Sequence, residues 1–292
     1  MYDICCIGHI TSDKVVTPNS VTYMAGGTAW YFSYAVSRLD VNYLLVTALA
    51  PAEMHYVHDL NAKGLAVNVH PSAHTVYFEN IYGGDHDERE QNVLAMADAF
   101  TIAQIQAVGA RLFHLGPLLS DDISTVVIKT LAAKGRVSLD VQGYLRKVVN
   151  HKVYPTYWPE KIEALQYVDI LKADVAEMLA LTGQKDIKEG VKLVAKWGVK
   201  EVVVTKGSKG SLIYCDGVFY DIPAYAGSVV VDATGCGDTY MAGYLYQRAK
   251  GAGIQWAGEF ASAMAGLKTA NSGAFMGTEG DVLRFLAGYK KV

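Results

Sequence analysis

Val229-Val230-Val231-Asp232-Ala233-Thr234-Gly235-Cys236-Gly237-Asp238-Thr239-Tyr240-Met241-Ala242-Gly243-Tyr244 is the stretch from which the rest of the chain is read. An apolar run gives way to a glycine-rich turn, and a helix of small residues is expected from Gly237 to Lys250. Glycines just before a helix let backbone N–H groups converge on one point. That point also feels the positive end of the helix dipole. The product is an anion hole suited to a transferring phosphoryl group, built here from Gly235, Cys236 and Gly237. Asp238, in the first helical turn, stands where a carboxylate can take a proton from an attacking hydroxyl. Asp is also an ordinary residue of helix starts, and glycine-rich helix starts are common. The residues alone leave a plain capped helix open beside the anion hole.

Upstream, strand-like and helical runs alternate. Strands are expected at Asp3 to Ile7, Tyr43 to Ala48, Leu112 to Leu115, Val137 to Val141, Val168 to Leu171 and Glu201 to Thr205. Helices are expected from Gly26-Gly27 to about Leu39, then at Ala52 to Ala62, Asp121 to Lys134, Asp174 to Leu181 and Ile187 to Trp197. Such alternation predicts an α/β fold with a mainly parallel sheet and helices on both faces. Asp216-Gly217, between Ser211 to Cys215 and Val218 to Ile222, is a hairpin signal. Helices at Ala257 to Ala270 and Asp281 to Tyr289 close the chain. Two segments break the rhythm. Residues 10–24, with a turn at Pro18-Asn19-Ser20, and 74–95, ending its clearest run in Gly83-Gly84, are rich in β-branched and aromatic residues. They are expected to form a small accessory sheet, either a lid over the site or an ordinary extra hairpin.

The chain has 292 residues, 51% of them hydrophobic and 19% charged, with a formal net charge of -3. That is enough for a sizeable core. It provides no basic surface for nucleic acid. Cys5, Cys6, Cys215 and Cys236 follow no zinc or disulfide spacing and read as reduced, buried thiols. The opening Met1 to Gly8 has neither a basic leader nor a long apolar core, and no run approaches the roughly 18 apolar residues of a membrane helix. The expectation is a cytoplasmic chain with no membrane partner.

Asp232, Gly235, Gly237 and Asp238 match the signature Asp-Thr-x-Gly-Ala-Gly-Asp, so the stretch resembles that of the ribokinase-like, or PfkB, carbohydrate kinases. Ala233 replaces the usual Thr and Cys236 the usual Ala, both small. The resemblance implies one ribokinase-like domain over residues 1–292, a three-layer α/β/α sandwich carrying a small β-sheet lid. It implies ATP as phosphoryl donor, Asp238 as general base, and the amides from Gly235 to Asp238 as the anion hole. It assigns Asp13, in Gly8-His9-Ile10-Thr11-Ser12-Asp13, to the acceptor hydroxyls, with the Gly26-Gly27 backbone closing against the acceptor. Tyr31 stands where many members carry Asn.

Lys172-Ala173-Asp174-Val175-Ala176-Glu177 is similar to the family's Asn-x-x-Glu motif, which makes Asp174 and Glu177 the pair that organises Mg²⁺ and its waters. Without the resemblance, the same pair reads as a helix cap and an exposed Glu. Thr205-Lys206-Gly207-Ser208-Lys209-Gly210 resembles the nucleotide-flanking segment, which places Lys206, Gly207 and Gly210 beside the nucleotide and Asn271 at the adenine or ribose; Lys206 or Lys209 screens phosphate charge, or both are solvated loop lysines. Asp140 ends a strand on the ligand-binding edge of the sheet, with Arg146 following in the loop. His114, at another strand end, is expected to be packed and hydrogen-bonded rather than catalytic.

Sugars, cyclitols and nucleosides are all family acceptors. Trp30, Tyr31 and Asp140-Val141-Gln142-Gly143 look more like inositol-kinase-like members than ribokinase. A nucleoside stays open because Tyr23, Tyr77 and Phe78 are able to stack a base, as well as to pack a sheet. A monovalent cation activator and a homodimer through the lid edges also stay open. A non-catalytic sensor on the same fold would be marked by loss of the base or the glycines, and both are present. A dinucleotide-binding oxidoreductase would need a glycine fingerprint after the first strand, which Gly8-His9-Ile10-Thr11-Ser12 does not supply.

Overall fold

The structure is a computed structural model describing residues 1–82, 89–225 and 230–289. Gly83-Gly84 and Val229 therefore lie outside the described residues. In chain order the first elements are β1 (Tyr2–Gly8), β2 (Thr11–Thr17), β3 (Ser20–Gly26), α1 (Gly27–Val36), β4 (Tyr43–Leu49), α2 (Met54–Ala62) and β5 (Ala66–Pro71). Next come β6 (Val76–Tyr82), β7 (Arg89–Ala95), α3 (Ile102–Ile105), β8 (Ala110–Gly116), α4 (Thr125–Ala132) and β9 (Arg136–Asp140). A hairpin of β10 (Arg146–Val149) and β11 (Lys152–Pro155) follows, then α5 (Lys161–Leu165), β12 (Ile170–Asp174), α6 (Val175–Thr182) and α7 (Ile187–Lys196). The last are β13 (Glu201–Thr205), β14 (Ser211–Cys215), β15 (Val218–Ile222), α8 (Cys236–Ala249), α9 (Ile254–Thr269) and α10 (Glu279–Tyr289).

Among these residues, nine strands form one sheet in the order β15-β14-β13-β12-β9-β8-β1-β4-β5. Its strands from β13 to β5 run parallel, and β14 and β15 run antiparallel at one edge. The strand apolar runs are continuous because both faces are covered. In β1, Ile4 and Cys6 face a core shared with α1, α8, α9 and α10, while Cys5 and Ile7 face a core shared with α4, α6 and α7. The period of two along the strand thus feeds two helical layers. The expected α/β/α sandwich is present.

A second sheet of six strands has the order β10-β11-β7-β6-β2-β3. Residues 10–24 and 74–95 supply four of its strands, as expected, and its small core is Val76, Phe78, Val93, Leu118 and Leu119. The hairpin β10-β11 completes it and was not foreseen. Its strands are only four residues long, carry Arg and Lys, and half-bury few side chains, so no periodic signal marks them.

Some boundaries differ from expectation. The helix expected at Asp121 to Lys134 is only Thr125–Ala132, capped by Ser124. Asp122 instead accepts the N–H groups of Leu118 and Leu119, closing a turn ahead of the helix. The strand expected at Val168 to Leu171 runs instead from Ile170 to Asp174, so Lys172 is a buried strand residue and Asp174 both ends the strand and caps α6. Cys215 and Cys236 are half-buried rather than buried.

Glu201 ties α8 to the sheet. It is 3% exposed. It accepts hydrogen bonds from Arg248 at 2.6 Å, Arg136 at 2.8 Å and the Tyr244 hydroxyl at 2.8 Å. Burial alone would raise its pKa, but the Arg248 and Tyr244 hydrogen bonds outweigh it and hold the carboxyl below its usual value. A depressed carboxylate contributes stability above its unfolded pKa and loses it as pH falls. Glu201→Ala should lower unfolding free energy by roughly 3 kcal/mol at neutral pH, because Arg248 is left partly buried and unpaired. Urea denaturation from pH 7 to pH 3 should show that gap narrowing on the acid side.

Candidate active site

The carboxyl ends of β9, β12 and β13 lie side by side, as the parallel registers require. This edge is where ligands bind in open α/β sheets. It brings together Asp140, Lys172, Asp174 and Thr205. From the other side, α8 points its N-terminus at the same place.

Gly235 caps α8 in the left-handed conformation, with φ 72°. A side chain is excluded there for a second reason: an added methyl would overlap the Tyr31 ring. Tyr31, 3% exposed on α1, therefore lies flat against the glycine where many relatives carry Asn. The Cys236 N–H turns back onto the Ala233 carbonyl at 3.2 Å. The N–H groups of Gly237 and Asp238 follow in the first turn, where a helix offers no internal acceptor. The Cys236 thiol is pushed up to about 11 by burial, so it is a neutral space-filler and no nucleophile.

Asp238 is half-buried beside these amides. Burial, with the Asp140 carboxylate adding to it, pushes its carboxyl up to about 7, against the pull of the Lys172 ammonium and a hydrogen bond from Thr28. Lys172 is 6% exposed and bridges Asp140 at 3.0 Å and Glu177 at 3.5 Å. Its burial would favour the neutral amine, but the Asp140 and Glu177 carboxylates outweigh that and keep it charged. Neither Thr28 nor Lys172 was singled out from sequence as a site residue. A lysine continuing the apolar run Val168 to Leu171 was the available signal.

Two cavities meet here. One, of about 560 Å³, is lined by Asp13, Gly27, Asp140, Asp174, Gly235 and Asp238, with Phe78, Gln142 and Arg146 around its far side. A methyl at Gly26 would overlap the Asp13 carboxylate, so this glycine gives the acid its room. The other cavity, of about 350 Å³, is lined by Gly207, Gly210, Ala224, Tyr225, Ala265 and Gly266 among others. Thr205, Gly207, Ala233, Cys236 and Gly237 line both. Four expected residues stand apart from both linings, Gly26 behind the Asp13 carboxylate among them. Lys206 pairs with Asp221 at 3.3 Å, Asn271 is exposed beyond the end of α9, and Glu177 faces Lys172. His114 is fully buried and stacked on Phe32, with its ring nitrogen 3.1 Å from the Ser138 hydroxyl, as expected of a packed histidine.

Asp174 and Glu177 form a reciprocal capping box on α6, each carboxylate accepting the other's backbone N–H at 2.7 Å. No group of three metal-ligating side chains occurs among the described residues. A lone carboxylate pair fits a Mg²⁺ that keeps most of its waters and binds chiefly to phosphate. No helix among the described residues is long and apolar enough to cross a membrane.

Known proteins share this fold. A cytidine kinase of Thermococcus kodakarensis is 28% identical over 271 residues, covering 86% of this chain and 90% of its own. A pyrophosphate-dependent kinase in the ribokinase family, solved with a pyrophosphate analog and myo-inositol, superposes with TM-score 0.86 at 27% identity, covering 96% of this chain and 99% of its own. Arabidopsis thaliana ribokinase, solved with ribose and ATP, superposes with TM-score 0.81 at 22% identity over 98% of each chain. Residues 1–279 match the pattern of the pfkB family carbohydrate kinases, and with its fold and its glycine-capped α8 the chain belongs to that family and is a kinase.

Proposed function

We propose that this kinase moves the γ-phosphoryl group of ATP onto a hydroxyl of a small sugar or cyclitol, with Asp238 as general base. The observation that carries it is the junction of two cavities at Cys236 and Gly237, beside a carboxyl whose pKa burial pushes to about 7. A base poised near the working pH accepts a proton without being locked in its charged form. Asp13 and the Gly27 backbone hold the acceptor, and Asp238 takes the proton of the hydroxyl aimed at phosphorus. The amides of Gly237 and Asp238 and the dipole of α8 stabilise the transferring group. Asp174 and Glu177 would hold Mg²⁺ through water, and the ion supplies charge neutralisation on the phosphates. The six-stranded sheet acts as a lid that excludes water.

Gly207, Ala224, Tyr225, Val230 and Ala265 give the second cavity an apolar lining with room for a nucleoside. This favours ATP over pyrophosphate, the donor used by one structural relative. A nucleoside acceptor is the second reading. It draws on the cytidine kinase relative and on Phe78, 6% exposed in the acceptor cavity. We also propose a homodimer through β3. This strand is one of the sheet's two edges and exposes Val21 and Tyr23 at 53% and 63%.

Donor consumption should be measured with Mg²⁺ against pentoses, hexoses, inositols and nucleosides, with ATP and pyrophosphate in parallel. Turnover of one sugar or cyclitol with ATP is expected; turnover confined to nucleosides, or to pyrophosphate, overturns that half of the proposal. Asp238→Asn should lower kcat by about 10²–10⁴-fold. The wild-type kcat/KM should rise about tenfold per pH unit at acid pH and level off above about 7. A raised carboxyl pKa contributes stability below the unfolded value and loses it as pH rises through the folded one. Asp238→Asn should therefore melt no lower than wild type at pH 8. Sedimentation over a concentration series should show dimer, and a monomer throughout removes the β3 pairing.

A further inference from the structure

Lys268 is a buried charge with no part in the chemistry above. It sits in the last turn of α9, and its side chain is 1% exposed. Neither cavity is lined by it. Its ammonium makes two contacts, both to Asp232: the main-chain carbonyl at 2.8 Å and the carboxylate Oδ2 at 2.9 Å. The same Oδ2 accepts the Gly273 N–H at 3.2 Å, and Oδ1 accepts the Thr234 N–H at 2.8 Å. The N–H groups of Val231 and Asp232 donate to the Thr269 carbonyl at 2.7 and 3.2 Å. Two loops are clamped together in this way. One, Val231 to Thr234, runs directly into Gly235 and the anion hole. The other, Lys268 to Gly273, leaves the end of α9.

A buried ammonium is costly unless paired and hydrogen-bonded. Here it bridges a carbonyl and a carboxylate, hard oxygen donors of the kind that hold small cations. A separate monovalent ion does not fit at these oxygens, because the lysine already holds both. We propose that Lys268 is a tethered internal cation that positions the anion-hole loop, and that the enzyme consequently needs no monovalent cation. Lys268 is a positioning residue: it acts through Asp232 and the amides beyond it, which must lie within a fraction of an ångström of the transferring group.

The inference rests on the reading of Gly235 to Asp238 as the anion hole, and its test has an arm that does not. Wild type, Lys268→Ala and Lys268→Met are compared in a buffer whose monovalent cation is tetramethylammonium, too bulky to enter. Potassium or ammonium chloride is then added at constant ionic strength. Wild-type turnover should change by less than about 2-fold. Lys268→Ala should lose kcat by about 10²-fold, with little change in acceptor KM. It should regain at least about tenfold of that loss with potassium or ammonium, which enter the space left by the side chain. Its melting temperature should rise with the same salts, whatever reaction the enzyme performs. Lys268→Met fills the space without charge, so it should lose activity and regain none. Severalfold activation of wild type by potassium overturns the proposal, and this arm needs no variant to fold. So does a Lys268→Ala protein with full activity, or one in which neither kcat nor melting temperature responds to either cation.

Discussion

The ring of Tyr31 lying against the α-carbon of Gly235 is the contact on which the site depends. It joins α1, which follows directly on the acceptor-side glycines, to the start of α8, which carries the anion hole. No side chain fits at Gly235, and its left-handed φ suits glycine on its own account. Steric and conformational demands thus coincide at one residue. Thr28, one helical turn before Tyr31, hydrogen-bonds Asp238 from the same helix. Moving α1 by even a small amount would disturb the base and the amide cradle together. Packing here sets catalytic geometry, and that explains why a bulky aromatic is accommodated where a polar residue is usual.

Charge at the junction is arranged in opposition. Asp140 raises the proton affinity of Asp238, while Lys172, bridging Asp140 and Glu177, lowers it. A second lysine, Lys268, neutralises Asp232 on the far side of the same glycine turn. Two buried, carboxylate-paired lysines therefore flank the start of α8. The Asp140 and Glu177 carboxylates keep Lys172 charged in surroundings that would otherwise favour the neutral amine.

Much of the main sheet was legible in the sequence because its strands are buried on both faces and its helices on one. Continuous apolar runs in the strands and a period of 3.6 residues in the helices follow directly from that burial. The family was legible for a different reason: Asp232, Gly235, Gly237 and Asp238 stand in the order of one short signature. What escaped lacked periodicity. The hairpin β10-β11 is short and polar. Asp122 looked like the opening of a helix and instead closes a turn. Lys172 and Lys268 drew no reading of their own, since sequence does not reveal which long polar side chains fold inward. Lys206 and Asn271 matched by position in a motif, yet the side chain of the first turns to Asp221 and the second stays exposed, because flanking loops carry no packing constraint on direction.

The same asymmetry accounts for the divide between reaction and acceptor. The reacting end is written in one continuous helix start, so a single stretch of sequence discloses it. The acceptor cavity is assembled from Asp13 on β2, Phe78 on β6, Gln91 on β7 and Arg146 on β10. These come from widely separated parts of the chain, and what unites them is the second sheet. Each contributes one side chain from one face of a strand, so no local pattern links them. An acid, an amide, an aromatic ring and a guanidinium around one cavity can satisfy a ring of hydroxyls or a ribose with its base. Which of these fits is decided by the spacing across strands, a property of the sheet's registers and not of any segment of sequence.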